Sequence, residues 1–289
     1  MPLACLVCAV GASQPIFVEN VFHVISTNAH MTQPFELAAC AEMLWRDKPI
    51  GWRVRRLTEL GFGVGLWNWP DHDLDDLERS GATFTIMNGY LQGRLADKEG
   101  ADMLLKSAQE TAQVGKRLGV ARLNLHGTGL GDFGLPIPQL ATFAPGMEQR
   151  ARDTLHRICD MAEKEGVTFT LENLNPLDHP GCPFGSTGAV LSLVSAVNRP
   201  QLRINLDLYH TQIGEGDVIR WAQACLPWIG EVQVADNPGR CEPGTGEMHY
   251  GNIARALLGM GYRGPVGMEA FASGDPEAAL AAFRSAFTV

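Results

Sequence analysis

The sequence has few basic residues and no block of them. Its 289 residues include 23 Lys and Arg against 32 Asp and Glu, which gives a formal net charge of −9. Binding to the phosphate backbone of DNA or RNA depends on clustered basic side chains that displace counterions. The composition therefore argues against a nucleic-acid partner and favours a small-molecule substrate.

Long apolar runs are also missing. No stretch approaches the roughly 18 apolar residues from which a membrane-spanning helix is recognised, so no membrane partner is expected. The opening MPLACLVCAVGAS is apolar, but it is short and lacks the basic segment with which secretory signals begin. We therefore expect a cytoplasmic protein.

The seven cysteines form neither a disulfide framework nor a zinc-finger pattern. They are scattered and odd in number. The close pair, Cys5 and Cys8, has no second pair and no histidine at zinc-finger spacing. We interpret the cysteines as reduced thiols, as is usual in the cytosol.

Length and patterning favour one large α/β domain. The chain is 45% hydrophobic, and its length is close to the roughly 250 residues typical of a barrel of eight βα units. Strand-like and helix-like segments alternate, which is typical of parallel βα architecture. We predict a (β/α)8 TIM barrel over residues 21–289, after an N-terminal extension of residues 1–20.

Eight segments have the pattern of barrel strands. The first four are FHVISTN at 22–28, FGVGLWNW at 62–69, ATFTIMN at 82–88 and ARLNLHG at 121–127, and the last four end at Glu172, Asp207, Gln233 and Glu269. Helices are predicted between them at 51–60, about 99–118, about 147–165, 186–197, 217–225, about 252–260 and from 275 onwards.

One segment is too long for a minimal barrel. About twenty residues separate the predicted first strand from the first helix, where two to six would suffice. Its apolar residues recur at roughly helical spacing: Phe35, Leu37, Ala38, Ala41, Leu44 and Trp45. We predict an insertion at about residues 29–50 on the active-site side, which forms a lid, a contact between subunits of a homo-oligomer, or a surface helix over the barrel rim.

Four strand-like runs in the second half each end in a side chain that can bind a metal through oxygen: Glu172, Asp207, Gln233 and Glu269. Burying unpaired carboxylates is costly, so a positive charge is expected between them. The carboxyl ends of barrel strands converge on one mouth, where the four would surround a single divalent cation. Oxygen ligands favour Mg²⁺ or Mn²⁺ over Zn²⁺.

Four sequence stretches resemble the hydroxypyruvate isomerase family. This family belongs to the xylose isomerase-like TIM barrels, together with the ketose 3-epimerases. The stretches are LENLNPLDHPG at 171–181, DLYHTQIGEGD at 207–217, VQVADNPGRCEPGTGEMHY at 232–250 and VGMEAF at 266–271. The resemblance covers roughly residues 165–275 and is weak before residue 120.

The resemblance implies a metal-dependent isomerase. Glu172, Asp207, Gln233 and Glu269 would hold the metal, and Glu172 and Glu269 would also act as catalytic acid and base. The implied reaction interconverts a hydroxy-keto acid and a hydroxy aldehyde, as in hydroxypyruvate to tartronate semialdehyde, by proton transfer through an enediolate. A ketose 3-epimerase or another sugar isomerase is the alternative. Gln233 favours the isomerase, because the epimerases usually have histidine at that position.

Arg240 is a candidate anchor for an acidic substrate. Three carboxylates around one dication leave the site negative, so an anionic substrate would need a cation of its own. Arg240 follows Gln233 by seven residues at the same mouth, and its planar guanidinium suits a carboxylate. The alternative is a loop arginine paired with Glu242 or Glu247.

Three further residues are candidates for substrate binding. His210 follows Asp207 by three residues, and the resemblance implies a hydrogen bond from it to a substrate oxygen. His126 closes the fourth strand and either points into the mouth or serves as a structural hydrogen-bonding residue. Trp67 either forms an apolar wall for substrate carbons or packs in the core or rim.

Overall fold

The computed structural model describes residues 34–137 and 144–289. Eight strands lie within these ranges: β1 Glu36–Cys40, β2 Gly63–Leu66, β3 Phe84–Asn88, β4 Arg122–Leu125, β5 Phe169–Glu172, β6 Leu202–Asp207, β7 Ile229–Val234 and β8 Pro265–Met268. They run parallel and close into a barrel in chain order, with β8 paired to β1. The predicted TIM barrel is confirmed.

Helices follow the strands on the outside of the barrel. They are α1 Ile50–Glu59, α2 Leu74–Arg79, α3 Lys98–Leu118, α4 Met147–Glu165, α5 Thr187–Val197, α6 Leu208–Gly214, α7 Val218–Cys225, α8 Tyr250–Gly259 and α9 Pro276–Phe287. Seven of them match predicted helices to within about two residues. The short helices α2 and α6 were not predicted, because fewer than two turns give little helical periodicity.

Local sequence sets where several helices begin and end. The Ser186 side chain accepts a backbone hydrogen bond in the first turn of α5, and Asp275 does the same for α9, whose first residue is Pro276. Helices α3 and α4 are followed by Gly119 and Gly166, which adopt the left-handed conformation that ends a helix without strain. These are the boundaries that the sequence predicts.

The strands separate an apolar layer from a polar barrel interior. Side chains of a strand point alternately to its two faces. On β5, β6 and β7 the buried Leu171, Leu206 and Val232 belong to the hydrophobic core, and the residues between them are polar. The inner side chains hydrogen-bond one another across the strands, as Asn205 does with Glu172. The sequence thus concentrates polar groups inside the barrel.

The first barrel strand corrects the sequence prediction. The predicted strand at 22–28 and the predicted extension of residues 1–20 lie outside the described residues. Strand β1 is Glu36–Cys40, inside the segment predicted as an insertion at about residues 29–50. Leu37 and Ala38 therefore belong to a barrel strand, and the surface-helix alternative is wrong for them. Four successive residues, Leu37 to Cys40, are buried. A strand enclosed on both faces shows no alternation, and a short apolar run cannot be assigned by periodicity alone.

The structure bears on the expectations for the cysteines and for membrane-spanning helices. Within the described ranges, Cys40, Cys159, Cys182, Cys225 and Cys241 are free thiols. Cys5 and Cys8 lie outside these ranges. None of the helices described combines the length and the apolar character that crossing a membrane would require.

Candidate active site

A cavity lies at the carboxyl ends of the barrel strands. It encloses an empty volume of about 620 Å³, part of which is open to solvent. Seven of the eight site residues expected from the sequence line it: Trp67, His126, Glu172, His210, Gln233, Arg240 and Glu269. The eighth, Asp207, is almost fully buried beside them. The structure therefore brings all eight to one mouth of the barrel.

Asp207 ends β6 and uses its two carboxylate oxygens differently. Oδ1 accepts hydrogen bonds from the backbone N–H groups of Tyr209 at 2.8 Å and His210 at 3.3 Å, which caps α6. Oδ2 lies 3.5 Å from His210 Nε2 and 3.6 Å from Arg240 Nη2. Glu172, Asp207 and His210 each offer one donor atom within 4.8 Å of the others, which is close enough to hold a metal ion.

Glu172 ends β5 and is fixed by side-chain amides. Its Oε2 accepts hydrogen bonds from Asn205 Nδ2 at 3.0 Å and from Asn124 Nδ2, and lies 3.2 Å from His126 Nε2. Its Oε1 lies 3.9 Å from His210 Nε2. Burial alone would raise the pKa of Glu172, but His126, Arg240 and the Asn124 amide together outweigh burial, and the pKa is lowered. This environment favours the carboxylate form of Glu172.

Gln233 joins this group through a shared neighbour. It pairs with Asp207 in the register of β6 and β7. Asn205 Nδ2 donates to Gln233 Oε1 at 2.6 Å and also to Glu172 Oε2. One amide nitrogen thus holds the oxygens of Glu172 and Gln233 on the same side of the site.

Glu269 follows β8 and receives a hydrogen bond at each oxygen. Trp67 Nε1 donates to Oε1, and Arg240 Nη2 donates to Oε2 at 2.6 Å. Burial raises the pKa of Glu269 despite the attraction of Arg240. Glu269 lies outside the group of three that Glu172, Asp207 and His210 form, and Arg240 Nη2 lies between it and Asp207.

Arg240 lies in the loop after β7 with a left-handed backbone, φ 51°. Its guanidinium pairs with Glu269 and stacks on the Tyr209 ring, with 5.0 Å from Cζ to the ring centroid. The alternative partners from the sequence are engaged elsewhere. Glu242 accepts hydrogen bonds from the backbone N–H and the hydroxyl of Ser273, and Glu247 accepts them from the side-chain amides of Asn237 and Gln212. Arg240 therefore faces the cavity.

The tautomer of His210 follows from its neighbour Asn175. The Asn175 Oδ1 accepts two backbone N–H hydrogen bonds in its own loop, so its NH₂ group faces His210 Nδ1 at 2.6 Å. Burial lowers the pKa of His210 well below its usual value. In the neutral ring Nδ1 accepts and Nε2 carries the proton. His210 therefore presents an N–H to Asp207 and Glu172, which suits a hydrogen-bond donor better than a metal ligand.

His126 lies just after β4 and bridges two parts of the cavity wall. Its Nε2 faces Glu172, and its Nδ1 lies 3.4 Å from the Tyr90 hydroxyl. The Tyr90 hydroxyl donates to the carbonyl oxygen of Thr128. His126 thus combines the two alternatives expected for it, because it lines the cavity and is also hydrogen-bonded within the wall.

Trp67 makes a hydrogen bond to a site residue and does not serve only as an apolar wall. It follows β2, and its indole N–H donates directly to Glu269. The backbone N–H of Trp67 donates to Glu42 Oε1 at 2.8 Å, as does that of Asn68 at 3.0 Å. Glu42 therefore holds the backbone that positions the indole against Glu269.

Sequence reasoning missed several residues of the site. Three polar residues stand two positions before a residue identified from the sequence: Asn124 before His126, Asn205 before Asp207 and Glu231 before Gln233. The two-residue period of a strand places each on the same inward face as its partner, and this signal could have found them. Asn175 lies in a loop, where no periodicity points to it.

Glu231 is the acidic residue among them and is almost fully buried, with 1% of its surface exposed. Burial raises its pKa to about 7. Arg122 Nη1 lies 3.4 Å from its Oε2. Its other oxygen, Oε1, has no hydrogen-bond partner among the described residues.

The donor set fits a hard divalent cation. Burial raises the pKa of Asp207 well above its usual value, and the like charges of Glu269 and Glu172 add to this despite Arg240. Carboxylate and amide oxygens are the ligands that such cations prefer. A dication between the strand ends would offset the repulsion among these carboxylates, which adds to the effect of burial on the pKa of Asp207.

Comparisons with known proteins agree with this geometry. Residues 64–286 match the family model described as Xylose isomerase-like TIM barrel. Hydroxypyruvate isomerase of Escherichia coli (strain K12) is 35% identical over 117 residues, or 40% of this chain and 45% of the relative. The 2-oxo-tetronate isomerase of Cupriavidus necator is 31% identical over 139 residues, or 46% of this chain and 54% of the relative. The chain thus matches about half the length of these curated relatives.

The barrel also matches solved structures. The crystal structure of a protein described as AP endonuclease, family 2, from Brucella melitensis superimposes with a TM-score of 0.76 at 27% identity. The match covers 86% of this chain and 98% of that chain. The names of these similar proteins differ in the reaction they denote, so the reaction has to be argued from the site.

Proposed function

The chain belongs to the xylose isomerase-like TIM barrel family, and on this basis we propose that it is a divalent-metal-dependent isomerase. It would interconvert a hydroxy-keto acid and a hydroxy aldehyde, as in hydroxypyruvate to tartronate semialdehyde. The observation that carries the proposal is that Glu172 and Glu269 line one cavity together with Gln233 and Arg240. The names of the Escherichia coli and Cupriavidus necator relatives support an isomerase acting on a small keto acid.

The proposed metal is one Mg²⁺ or Mn²⁺ held by Glu172, Asp207, Gln233 and Glu269. When bound, such an ion would stabilise the negative charge that develops on the substrate oxygens as the α proton leaves. In the absence of an ion, the guanidinium of Arg240 is the positive partner of Asp207 and Glu269; with the metal held by these side chains, Arg240 would be available to the substrate.

The two glutamates would carry the proton transfer. One carboxylate takes the proton from the hydroxylated carbon to give the enediolate, and the other returns a proton to the neighbouring carbon. Their environments push their pKa values in opposite directions, lowered for Glu172 and raised for Glu269. Such a divergence is typical of a pair in which one group acts as base and the other as acid.

Arg240 and His210 would orient the substrate. The guanidinium of Arg240 could pair with a substrate carboxylate in a bidentate manner, which a free ketose would not provide. The Nε2–H of His210 would donate to a substrate oxygen near the strand ends. Trp67 would hold Glu269 in place through its indole N–H rather than line the cavity with carbon alone.

The concave form of the site and the net charge of the chain support a small-molecule substrate. Glu172 and Glu269 line a cavity rather than an exposed face, as is usual for sites that bind small molecules. The net charge of −9 opposes association with a nucleic-acid backbone, although the similar Brucella melitensis protein is described as an endonuclease.

A substrate panel tests the proposal. The purified protein would be given hydroxypyruvate and free ketoses, each with Mg²⁺, with Mn²⁺ and with a chelator. We expect metal-dependent turnover of the keto acid and loss of turnover when the metal is removed. Turnover of ketoses alone would instead identify a sugar epimerase or isomerase, and an unchanged rate with the chelator would contradict the metal requirement.

A further inference from the structure

A short hairpin follows β4 at the mouth of the barrel. Leu130 and Pro136 pair as an antiparallel bridge, and the backbone N–H of Ile137 donates to the carbonyl oxygen of Gly129 at 3.0 Å. We call residues 129–137 the β4 hairpin. Its two arms are therefore held to each other by its own backbone.

The β4 hairpin forms part of the wall of the substrate cavity. Gly134, Leu135 and Pro136 line the same cavity as Glu172 and Glu269. Leu135 is also 43% exposed. The hairpin thus has the cavity on one side and solvent on the other, which is the position of a cover.

One side-chain hydrogen bond ties the tip of the hairpin to the barrel. Asn88, the last residue of β3, is buried, and its Nδ2 donates to the carbonyl oxygen of Gly134 at 2.7 Å. Within the described ranges, the other hydrogen bonds of the β4 hairpin stay inside it or join its base at Thr128. A segment with so few bonds to the rest of the fold opens at a low cost in free energy.

The contact between Asn88 and Gly134 lies between two spaces. Trp67, Asn88 and Gly134 line the substrate cavity, and the same three residues line an outer hollow beside the loop that follows β2. Movement of the tip away from Asn88 would therefore join the cavity to this hollow and so to solvent.

Glycine at position 134 permits this close contact. Its backbone is left-handed, with φ 70°. A Cβ atom there would lie 2.8 Å from Asn88 Nδ2 and 3.2 Å from the carbonyl oxygen of Trp67. Any other residue would be strained at this φ and would press the tip away from Asn88.

We propose that the β4 hairpin is a lid over the reacting centre and that Asn88 is the positioning residue that latches it. Closed, the lid places Leu135 and Pro136 at the cavity and keeps water from the enediolate. Open, it lets the substrate enter and the product leave. The proposal rests on the proposed function for the reaction beneath the lid, but its test does not require turnover.

A native thiol reports whether the lid is open. Cys40 ends β1, lines the cavity and is 5% exposed. Cys159 on α4 is fully buried and does not line the cavity, so its reaction reports unfolding of the whole domain. The metal-free protein would be treated with iodoacetamide, and peptide mass spectrometry would give the alkylation rate of each thiol.

Three substitutions weaken the latch from its two sides. Asn88→Leu and Asn88→Asp keep the size of the side chain and remove the donor, and Gly134→Ala presses on the same contact from the hairpin. We expect each to raise the alkylation rate of Cys40 roughly three- to tenfold, the effect of losing one net hydrogen bond, with the rate at Cys159 unchanged. Asn252→Leu on the exposed side of α8 is the matched control and should change neither rate.

The pattern across the variants decides the proposal. An unchanged rate at Cys40, or an increase with the Asn88 substitutions but not with Gly134→Ala, overturns the latch. An equal increase at Cys159 means general loosening and overturns it as well. If one variant does not fold, which rapid alkylation of Cys159 would show, the other two decide. The expected pattern without turnover of any keto acid would overturn the proposed function and leave the lid standing.

Discussion

At the scale of single residues, Glu269 is the side chain on which turnover depends most directly. Trp67 and Arg240 donate to its two oxygens and hold it at the cavity. Glu269→Gln keeps the size and removes one of the two carboxyl groups that transfer the proton, so kcat should fall by roughly a hundredfold or more with the fold intact. Steady-state kinetics and circular dichroism would measure both effects.

The matched control is Glu148→Gln on the exposed surface of α4. The same chemical change there should leave kcat unchanged. A Glu269→Gln enzyme with the wild-type kcat would remove Glu269 from the proton transfer.

Trp67 tests whether the position of Glu269 matters. Trp67→Phe keeps an aromatic ring and removes the N–H that Glu269 accepts. Because hydrogen bonds to charged groups contribute about 1.5–3 kcal/mol, we expect kcat to fall roughly tenfold or more, with little change in KM. Trp52→Phe on the exposed face of α1 is the control. An equal fall in kcat in the two variants would refute a specific role of Trp67 in positioning Glu269.

Arg240 separates acidic from neutral substrates. Arg240→Ala should raise KM for a keto acid by about a hundredfold, as expected for a charge-assisted contact of roughly 2–3 kcal/mol. For a neutral ketose, if bound, KM should rise much less. An equal rise in KM for both substrate classes would mean that the substitution only disturbs Glu269 and the loop.

At the scale of secondary-structure elements, helix capping offers a stability test away from the cavity. Ser186 caps α5 by accepting the backbone N–H of Ala189 at 3.2 Å. Ser186→Ala should lower the free energy of unfolding by about 1 kcal/mol and leave kcat unchanged. Ser192→Ala on the exposed side of the same helix should not destabilise, since alanine favours a helix interior. Urea unfolding would measure the free energy of unfolding of both variants. Equal values for Ser186→Ala and Ser192→Ala would contradict the capping role of Ser186.

The elements also show what local sequence can and cannot predict. Helices with a cap residue or a terminal glycine, such as α4 before Gly166, were predicted within a few residues. Strand β1 was not, because ELAAC is short and enclosed on both faces, and the insertion predicted at about 29–50 followed from that error. The actual β1 lies in the middle of the supposed insertion.

The site was partly predictable because the carboxyl ends of parallel barrel strands meet at one mouth. Glu172, Asp207, Gln233 and Glu269 each end a strand-like run, so they could be assigned to that mouth from the sequence. Hydrogen bonds such as those of Trp67 to Glu269 or Asn175 to His210 join residues far apart in the chain. Their geometry depends on the closed barrel and has no local sequence signal.

At the scale of the whole molecule, protons and metal should compete for the buried carboxylates. Burial raises the pKa of both Asp207 and Glu269. A carboxylate with a raised folded-state pKa stabilises the metal-free fold fully below its unfolded pKa, and this contribution is lost as the pH rises through the folded value. The metal-free protein should therefore lose stability as the pH rises from acidic towards neutral, and Mn²⁺ should restore it.

Thermal unfolding with Mn²⁺ and with a chelator over a series of pH values would measure this effect. The gap between the two melting temperatures should widen as the pH rises, since metal binding releases fewer protons at higher pH. A gap that narrows or stays constant would contradict competition at Asp207 and Glu269.

The proposed function depends on Glu172, Asp207, Gln233 and Glu269 sharing one divalent cation. The most direct test is a crystal structure of the Mn²⁺-soaked protein with anomalous diffraction at the manganese edge. We expect one peak bound by oxygens of these four side chains, with Arg240 displaced from between Asp207 and Glu269. A peak bound through His210 without Glu269, or no peak at this mouth, would contradict it.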